Sequence, residues 1–214
     1  MYKFFGLVLI SALVAVSARR ININAPLDRA LEEMNIQQRL SGNTSAPFPE
    51  IQLYPKVKYS RATFLGVDSM KRTSDCWTEI NVNEFTLDIN YGFGLASLVL
   101  PHLEIDGKNM SAYATVRNNS VHLSYTVSLV EQKCHIKLNE LKVEKLGNVE
   151  FGASRLEYDN SNLDGFFKLI VTPMLNGILD TNFAKIEIAL QALCNVRDFH
   201  NPGHAPQLLM SLLI

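Results

Sequence analysis

The chain has 214 residues, of which 47% are hydrophobic and 19% charged, with a formal net charge of −1. This composition is typical of a chain that folds around a core, and disorder is expected only near the tail His200-Asn201-Pro202-Gly203-His204. No basic run is longer than two residues, as at Lys71-Arg72, so the charge pattern of a nucleic-acid-binding protein is absent.

The first residues have the pattern of a secretory signal peptide. Lys3 supplies a positive charge, Phe4 to Val16 is an almost unbroken apolar run, and Val16-Ser17-Ala18 offers small residues to a signal peptidase. The run is too short to span a membrane as a helix, and no later segment approaches the roughly 20 apolar residues that a span needs. We therefore expect residues 1–18 to be removed and the protein to be secreted and soluble, not integral to a membrane.

The mature chain is then expected to begin at Arg19 and to form one domain over residues 19–199, followed by a C-terminal tail, 200–214. The apolar end of the tail, Leu208–Ile214, is too short to serve as a lipid-anchor signal. It could dock on a partner or fold back on the domain, and the sequence does not decide between the two.

Three cysteines, Cys76, Cys134 and Cys194, permit one disulfide and one remaining thiol in a secreted chain. Spacing alone does not select the pair. We favour Cys134–Cys194, which would join a strand to the C-terminal helix.

Three Asn-x-Ser/Thr sequons begin at Asn43, Asn109 and Asn118. In a secreted protein such sequons predict N-glycosylation at the surface.

The first expected element after the signal is a short amphipathic helix. Asn24 is the expected N-cap, Pro26 fits the first turn, and Leu27, Leu31 and Met34 repeat at helical spacing until about Leu40. The composition of residues 41–47 then predicts a loop.

From Ile51 to about Tyr158 the hydrophobic pattern has a period of two. The clearest strands are Asn83–Leu95 and Val121–Leu129, in which apolar and polar residues alternate. Such alternation predicts an antiparallel sheet with one covered face and one solvated face. Asp106–Asn109 and Arg117–Ser120 have the composition of turns between strands.

A break in this alternation predicts a bulge. Ile136 and Leu138 are apolar at even positions, whereas Leu141 and Val143 are apolar at odd ones. A one-residue bulge near Asn139-Glu140 would keep all four on one face, and because bulges bend strands the sheet is expected to curve strongly.

The last expected element is a long helix from Met174 to about Asp198, with Pro173 starting or kinking it. Its roughly 25 residues correspond to about 37 Å at 1.5 Å per residue. This long helix has an apolar stripe and follows a curved sheet with one face shielded from solvent. That order indicates a sheet that curls around the helix.

The order of these elements resembles that of the mite group 7 allergens and, more distantly, the insect juvenile-hormone-binding and takeout-like proteins of the tubular lipid-binding superfamily. The most specific local match is Phe64–Arg72, which looks like the group 7 segment where a strand end with a glycine leads into a Met-Lys-Arg turn. The spacing of a Tyr91–Leu100 strand, a Met110–Ser128 hairpin and a Phe166–Ile188 helix is also similar. The resemblance covers about Ile51 to Phe199.

Two departures accompany this resemblance. The N-terminal helix is shorter than in the group 7 allergens, and no cysteine precedes Cys76, whereas takeout-like proteins carry an N-terminal cysteine pair. The resemblance implies an α+β fold in which a strongly curved antiparallel super-roll wraps around a long C-terminal helix. It also implies a carrier of lipids or other hydrophobic small molecules, with no enzymatic activity and no cofactor.

Other chemistry is poorly supported by the motifs. Gly92-Phe93-Gly94 is not followed by a helix as a nucleotide-binding loop would be, so we expect the glycines to mark a bend. His102, His122 and His135 lack metal-site spacing, and we expect surface histidines and no metal. No nucleophile motif is present, and the carboxylates Asp75, Glu79, Glu84 and Asp88 are expected on a solvated face.

The apolar faces of the strands and of the helix are therefore the candidate site. Tyr91 and Tyr125 are the expected polar handles because a buried hydroxyl needs a partner, and Met174 can adapt to different ligand shapes. The residues expected to line a ligand cavity are Phe85, Leu87, Ile89, Tyr91, Val121, Leu123, Tyr125, Val127, Phe167, Ile170, Met174, Ile178 and Phe183.

Two alternatives remain open. With an interior filled by its own side chains, the same fold would serve as a protein- or membrane-surface-recognition module of the kind used in innate immunity. A secreted hydrolase is the third possibility. A cavity of about 300 to 1,000 Å³ would favour carriage of a ligand.

Overall fold

The computed structural model describes residues 19–48, 50, 56–130, 133–158 and 162–194. The expected signal peptide, the last residues of the expected domain and the tail lie outside this range. The elements in chain order are β1 (Arg19–Asn22), α1 (Asn24–Ser41), β2 (Ser45–Pro47), β3 (Val57–Ser60), β4 (Thr63–Leu65), β5 (Met70–Arg72), β6 (Trp77–Ile80), β7 (Glu84–Phe93), β8 (Ser97–Ile105), β9 (Lys108–Val130), β10 (Lys133–Ala153), α2 (Asp164–Phe166), a π-helical turn (Phe167–Val171) and α3 (Thr172–Cys194).

The expected α+β class is confirmed, with one large antiparallel sheet, an N-terminal helix and a long C-terminal helix. The sheet contains ten strands in the main order β1-β6-β7-β9-β8-β4-β2, with β10 beside β9, β3 beside β8 and β5 beside β7. Every described strand pair is antiparallel. Among the described residues, no helix is both long and apolar enough to cross a bilayer.

The centre of the sheet is the long hairpin of β9 and β10. The first half of β9 pairs with β8 and its second half with β7. The prediction of a turn at Arg117–Ser120, and with it a hairpin within Met110–Ser128, is therefore wrong, because β9 runs through this segment without interruption.

These turn-forming residues instead mark a change of face within β9. Before them the buried positions are even-numbered, as at Ala112 and Ala114, and after them they are odd-numbered, as at Leu123 and Tyr125. The pairing of β9 with β10 shifts register opposite the same segment, between Val143 and Lys145. Such a shift lets one strand present apolar side chains to the interior on both sides of the irregularity.

The predicted bulge near Asn139 is confirmed. The pairing of β9 with β10 shifts by one residue between Leu138 and Glu140. Leu138 and Leu141 both remain buried as a result, on the same hydrophobic cluster.

The core contains two main clusters. The first joins β7, β9, β10 and α3, and its buried members include Ile89, Leu123 and Leu190. The second lies beside α2 and the π-helical turn and includes Leu100, Met110 and Phe151. The change of face in β9 is what allows one pair of strands to contribute to both.

Helix α1 begins differently from the expectation. Asn24 is its first residue and not its N-cap, since Ile23 holds that position without a side-chain bond. The Asn24 side chain instead accepts a hydrogen bond from the Cys76 amide at 2.8 Å. At the other end Gly42 adopts a left-handed conformation with φ 75°, which ends the helix in the usual way.

Two short segments near α1 also differ from the sequence predictions. Ser45–Pro47, expected within a loop, forms β2 at the end of the main strand order, where a proline is tolerated. Met70–Arg72, expected as a turn by resemblance, forms β5, and the turn before it contains Gly66 with φ 98°.

The C-terminal helix starts earlier than predicted and contains a π-helical turn. The π-helical turn ends directly before α3, two residues before Pro173. Pro173 has no N–H to donate to the carbonyl four residues before it, so the regular α-helical bonding is interrupted at this point. The Thr172 amide bonds to the Phe167 carbonyl, and the Thr172 hydroxyl donates to the same oxygen at 3.0 Å. α3 is described as far as Cys194, and the rest of the expected helix lies outside the described residues.

Candidate functional site

The eight strand residues predicted to line a cavity lie together on one face of the sheet. In the register of β7 and β9, Phe85 is opposite Val127, Leu87 opposite Tyr125, Ile89 opposite Leu123, and Tyr91 opposite Val121. All eight belong to the first cluster or pack against it. Directly opposed apolar pairs are close enough to form a continuous surface.

The five predicted helix residues are more dispersed. Phe183 packs against the first cluster, and Phe167 packs against the second. Met174 and Ile178 are half-buried, whereas Ile170, in the π-helical turn, is 38% exposed and lies outside both clusters. The structure therefore brings Phe183 to the strand face and leaves Phe167 and Ile170 away from it.

Tyr91 and Tyr125 are the two polar groups on this face. Their side chains are only 6% and 3% exposed, and burial raises the pKa of both phenols. Neither hydroxyl makes a hydrogen bond to a described residue. Every fully enclosed side-chain nitrogen or oxygen in the described chain has a partner, so each of these two hydroxyls keeps a small exposed surface.

Helix α3 is held against β10 by polar side chains that bond to the backbone of the strand. Asn176 accepts from the Val143 amide at 2.7 Å and donates to the Val143 carbonyl at 3.0 Å. Gln191 accepts from the Ile136 amide at 2.8 Å and donates to the Cys134 carbonyl at 2.9 Å. Glu187 accepts from the Leu138 amide at 2.9 Å. These bonds hold the apolar side of α3, including Phe183 and Leu190, over the strand face.

Between these bonds there is a cavity of about 220 Å³, which we name the lateral opening. Phe183 is the one residue of the predicted cavity set that lines it. The opening is bounded by the bulge of β10 on one side and by α3 on the other, and its lining residues are Asn139, Glu140, Leu141, Lys142, Asn176, Asp180 and Phe183.

A second and larger depression, of about 570 Å³, lies on β4, β8, β9 and β10, and we name it the Tyr113 groove. Tyr113 is 43% exposed, and its ring lies so close to Gly152 that a β-carbon there would be 2.3 Å from it. Leu65, Val99 and Pro101 also line the groove. None of the predicted cavity residues lies in it.

His122 lies on the polar face, as predicted, but its side chain is only 15% exposed. Its Nε2 lies 3.2 Å from Asp88 Oδ1, and its Nδ1 lies 3.3 Å from Glu140 Oε2. The imidazole therefore links three neighbouring strands, β7, β9 and β10. Both ring nitrogens face carboxylates, and neither is directed at a hydroxyl that it could activate.

The remaining candidates for chemistry are placed as follows. No group of three His, Cys, Asp or Glu side chains within the described residues has the geometry of a metal site. A β-carbon on Gly92 would meet the Asn119 carbonyl at 2.4 Å, so this glycine permits a close backbone approach. Asp75, Glu79 and Glu84 are exposed.

The cysteines and sequons are compatible with the predictions but do not test them. Cys76 is a fully buried free thiol, and burial raises its pKa. The Cys194 side chain lies outside the described residues, so the Cys134–Cys194 pair stays a prediction. Gln191, one helical turn before Cys194, bonds to the Cys134 carbonyl, which places the two backbones close together.

The asparagines of all three sequons, Asn43, Asn109 and Asn118, are exposed.

Sequence reasoning missed one set of residues, which we name the strand-pairing amides: Asn35, Asn119, Asn176 and Gln191. Each accepts from a backbone amide and donates to a backbone carbonyl. Asn35 does so with Met70 at 2.9 and 2.8 Å, and Asn119 with Phe93 at 2.6 and 3.0 Å. Three of them lie in helices, where the polarity of an Asn or Gln inside an apolar stripe is only a weak sequence signal, and Asn119 lies in β9.

Comparison with known families and with curated proteins gave no match for this chain.

Proposed function

We propose that this protein is a secreted, non-catalytic carrier that binds a lipid or another hydrophobic small molecule between the curved sheet and α3. In this proposal the sheet forms a super-roll around the helix, as the resemblance to the mite group 7 allergens and the tubular lipid-binding superfamily implies. The observation that carries it is the pair of buried tyrosines whose hydroxyls have no described partner, on a continuous apolar face.

The chemistry of that face indicates the kind of ligand. Ile89, Leu123 and Val127 offer only apolar contact. Tyr91 and Tyr125 can each donate one hydrogen bond and accept another. The matching ligand is a largely apolar molecule that carries a carboxyl, hydroxyl or carbonyl group.

Apolar contact alone makes such binding feasible. Burying a sixteen-carbon chain at about 0.8 kcal/mol per methylene yields roughly 13 kcal/mol. Association costs about 4 to 15 kcal/mol, so affinities from negligible to sub-micromolar are accessible without a charged anchor. Selectivity by chain length would be loose, since one methylene changes binding by only about 1 to 3 kcal/mol.

Native mass spectrometry of the gently purified protein, together with displacement of a fluorescent fatty-acid probe, tests the proposal. We expect a co-purified apolar molecule and saturable binding of the probe. The Val121→Phe variant adds bulk to the apolar face and should weaken binding, whereas Val99→Phe, in the Tyr113 groove, should not. The absence of both a co-purified molecule and probe binding would refute carriage.

The Tyr113 groove favours a second candidate, recognition of a protein or membrane surface by a chain whose interior is filled. An exposed aromatic ring among apolar residues is a common feature of recognition surfaces. Under this candidate, Tyr113→Ala would abolish binding to the partner, and the interior variant Val121→Phe would have no effect on that binding.

A further inference from the structure

The contact between α3 and β10 is hydrogen-bonded at both ends and open between them. Gln191 and Glu187 bond to the strand on one side, and Asn176 bonds to it on the other. Within the described residues, no side chain of α3 between Asn176 and Glu187 bonds to β10. This interval contains three turns of helix, and the lateral opening lies within it.

The interruption coincides with the bulge in β10, and the residue one helical turn before Glu187 is Phe183, which has no hydrogen-bonding group. Along a regular strand, alternate residues are about 6.6 Å apart, and one helical turn of four residues spans about 6 Å, so the bonds can repeat in step. The register shift between Leu138 and Glu140 inserts an extra residue. The helix side chains can no longer match the backbone of the strand at that point.

The lining of the lateral opening changes from polar to apolar with depth. Asp180 and Lys142 are exposed on opposite walls. Leu141 and Phe183, at the inner end, belong to the first cluster or pack against it. The opening therefore leads from solvent to the edge of the first cluster, whose buried members include Tyr91 and Tyr125.

We propose that the lateral opening is the portal through which an apolar ligand enters the interior, and that Phe183 is the residue that closes it. This inference rests on the proposed carrier function. The wall formed by β10 is anchored by the contact of Glu140 with His122, while α3 is held on both sides of the opening. Ligand entry then requires only rotation of the Phe183 side chain and a small separation between the two walls, without loss of the bonds at either end.

Chemical cross-linking across the opening tests the portal. In the double variant Lys142→Cys and Asp180→Cys, a short bis-maleimide would join the two walls. The fully buried Cys76 should not react in the folded protein. We expect the rate of probe uptake to fall about tenfold or more, with the same amount of probe bound at equilibrium.

A matched control is the double variant Arg117→Cys and Glu150→Cys, cross-linked with the same reagent. This pair is also oppositely charged and joins β10 to β9, but it lies away from the opening. Its uptake rate should equal that of the parent. A second variant, Phe183→Ala, should speed both uptake and release of the probe.

The outcomes separate the two proposals. If the parent protein binds no probe, the carrier function fails and the portal fails with it. If the parent binds and the cross-link across the opening leaves the uptake rate unchanged, the portal alone is overturned. A similar slowing in the Arg117/Glu150 control would also overturn it, because the effect would then come from general stiffening.

Discussion

At the scale of single residues, the strand-pairing amides show how side chains replace a missing strand. The carboxamide of Asn or Gln has the same donor and acceptor pair as a peptide group, so it can bond to backbone groups on a side where a residue has no neighbouring strand. Asn35 does this for Met70 from helix α1, in a buried position. The stability of the packing of α1 on β5 should therefore depend on this one side chain.

We expect Asn35→Leu to lower the free energy of unfolding by about 2 to 4 kcal/mol. Two buried backbone groups lose their partner, at about 1 to 3 kcal/mol each. Urea denaturation measures the change. Gln37→Leu, at an exposed position of the same helix, should stay within about 0.5 kcal/mol of the parent. Equal losses in the two variants would contradict the role given to Asn35.

The buried tyrosines predict a loss of stability at alkaline pH. Burial raises the pKa of Tyr91 and Tyr125 in the folded protein, whereas in the unfolded chain a phenol ionises near pH 10. Their contribution to stability is therefore complete below about pH 10 and is lost as the pH rises towards the folded-state pKa. The loss is up to about 1.4 kcal/mol per pH unit for each tyrosine.

Measurement of the free energy of unfolding between pH 8 and pH 11 tests this predicted loss of stability. The double variant Tyr91→Phe and Tyr125→Phe should lose less stability over this range than the parent, because it has no buried phenol to ionise. Tyr113→Phe, at a 43% exposed position, should behave as the parent does. Ionisation of Tyr91 and Tyr125 near pH 10 in the folded protein, seen as absorbance at 295 nm, would contradict the prediction.

At the scale of elements, α3 protects a free edge of the sheet. β10 pairs with β9 on one side, and on the other its backbone groups meet Asn176, Glu187 and Gln191. An uncovered edge strand of this length would invite pairing with another chain. The helix thus serves two purposes, since it covers the edge and places its apolar side over the strand face.

Hydrogen exchange measures this protection directly. In Asn176→Leu the Val143 amide loses its acceptor, so we expect its exchange to accelerate about tenfold or more. In Asn176→Asp an acceptor remains, and the Val143 amide should stay protected. Asn182→Leu is the control, because the Asn182 side chain bonds to the Ile178 carbonyl of its own helix. Unchanged exchange at Val143 in Asn176→Leu would show that the helix does not protect the edge.

At the scale of the whole molecule, the fold depends on how one sheet contributes to two hydrophobic clusters. The C-terminal helix contacts both clusters, through Phe167 at one end and Leu190 near the other. A Cys134–Cys194 disulfide would fasten that far end to β10. In the chain-entropy model, closing a loop of roughly 60 residues stabilises the fold by about 4 kcal/mol.

Thiol labelling followed by peptide mapping tests the pairing. We expect no reaction in the folded protein, since Cys76 is fully buried and its pKa is raised. After unfolding without reductant, Cys76 alone should react, and after reduction all three cysteines should react. Labelling of Cys134 before reduction would exclude the predicted disulfide.

Part of this architecture was predictable because it depends on local patterns. The alternation in Asn83–Leu95 and Val121–Leu129 predicted two strands with a dry face, and the break at Asn139-Glu140 predicted the bulge. These signals survive because the side-chain period of a strand is fixed by its covalent geometry. The Arg117–Ser120 segment misled the prediction, because turn-forming residues also suit an irregularity inside a continuous strand.

The candidate site was predictable to a smaller degree. The eight strand residues were found because periodicity identifies a face, whereas Ile170 was misplaced by a helical stripe that the π-helical turn rotates. The two clusters, the lateral opening and the strand-pairing amides all depend on which distant backbone meets which side chain. No short stretch of the sequence contains that information.

The sequence by itself determined the alternating strands, the bulge and the helical character of α1 and α3, because each depends on neighbouring residues and the fixed geometry of the backbone. Only the tertiary structure decided that β9 continues through Asn118, that Asn176 and Gln191 cover the edge of β10, and that an opening separates them. Those features arise from contacts between residues that are far apart in the chain, and packing selects among the many arrangements that local preferences allow.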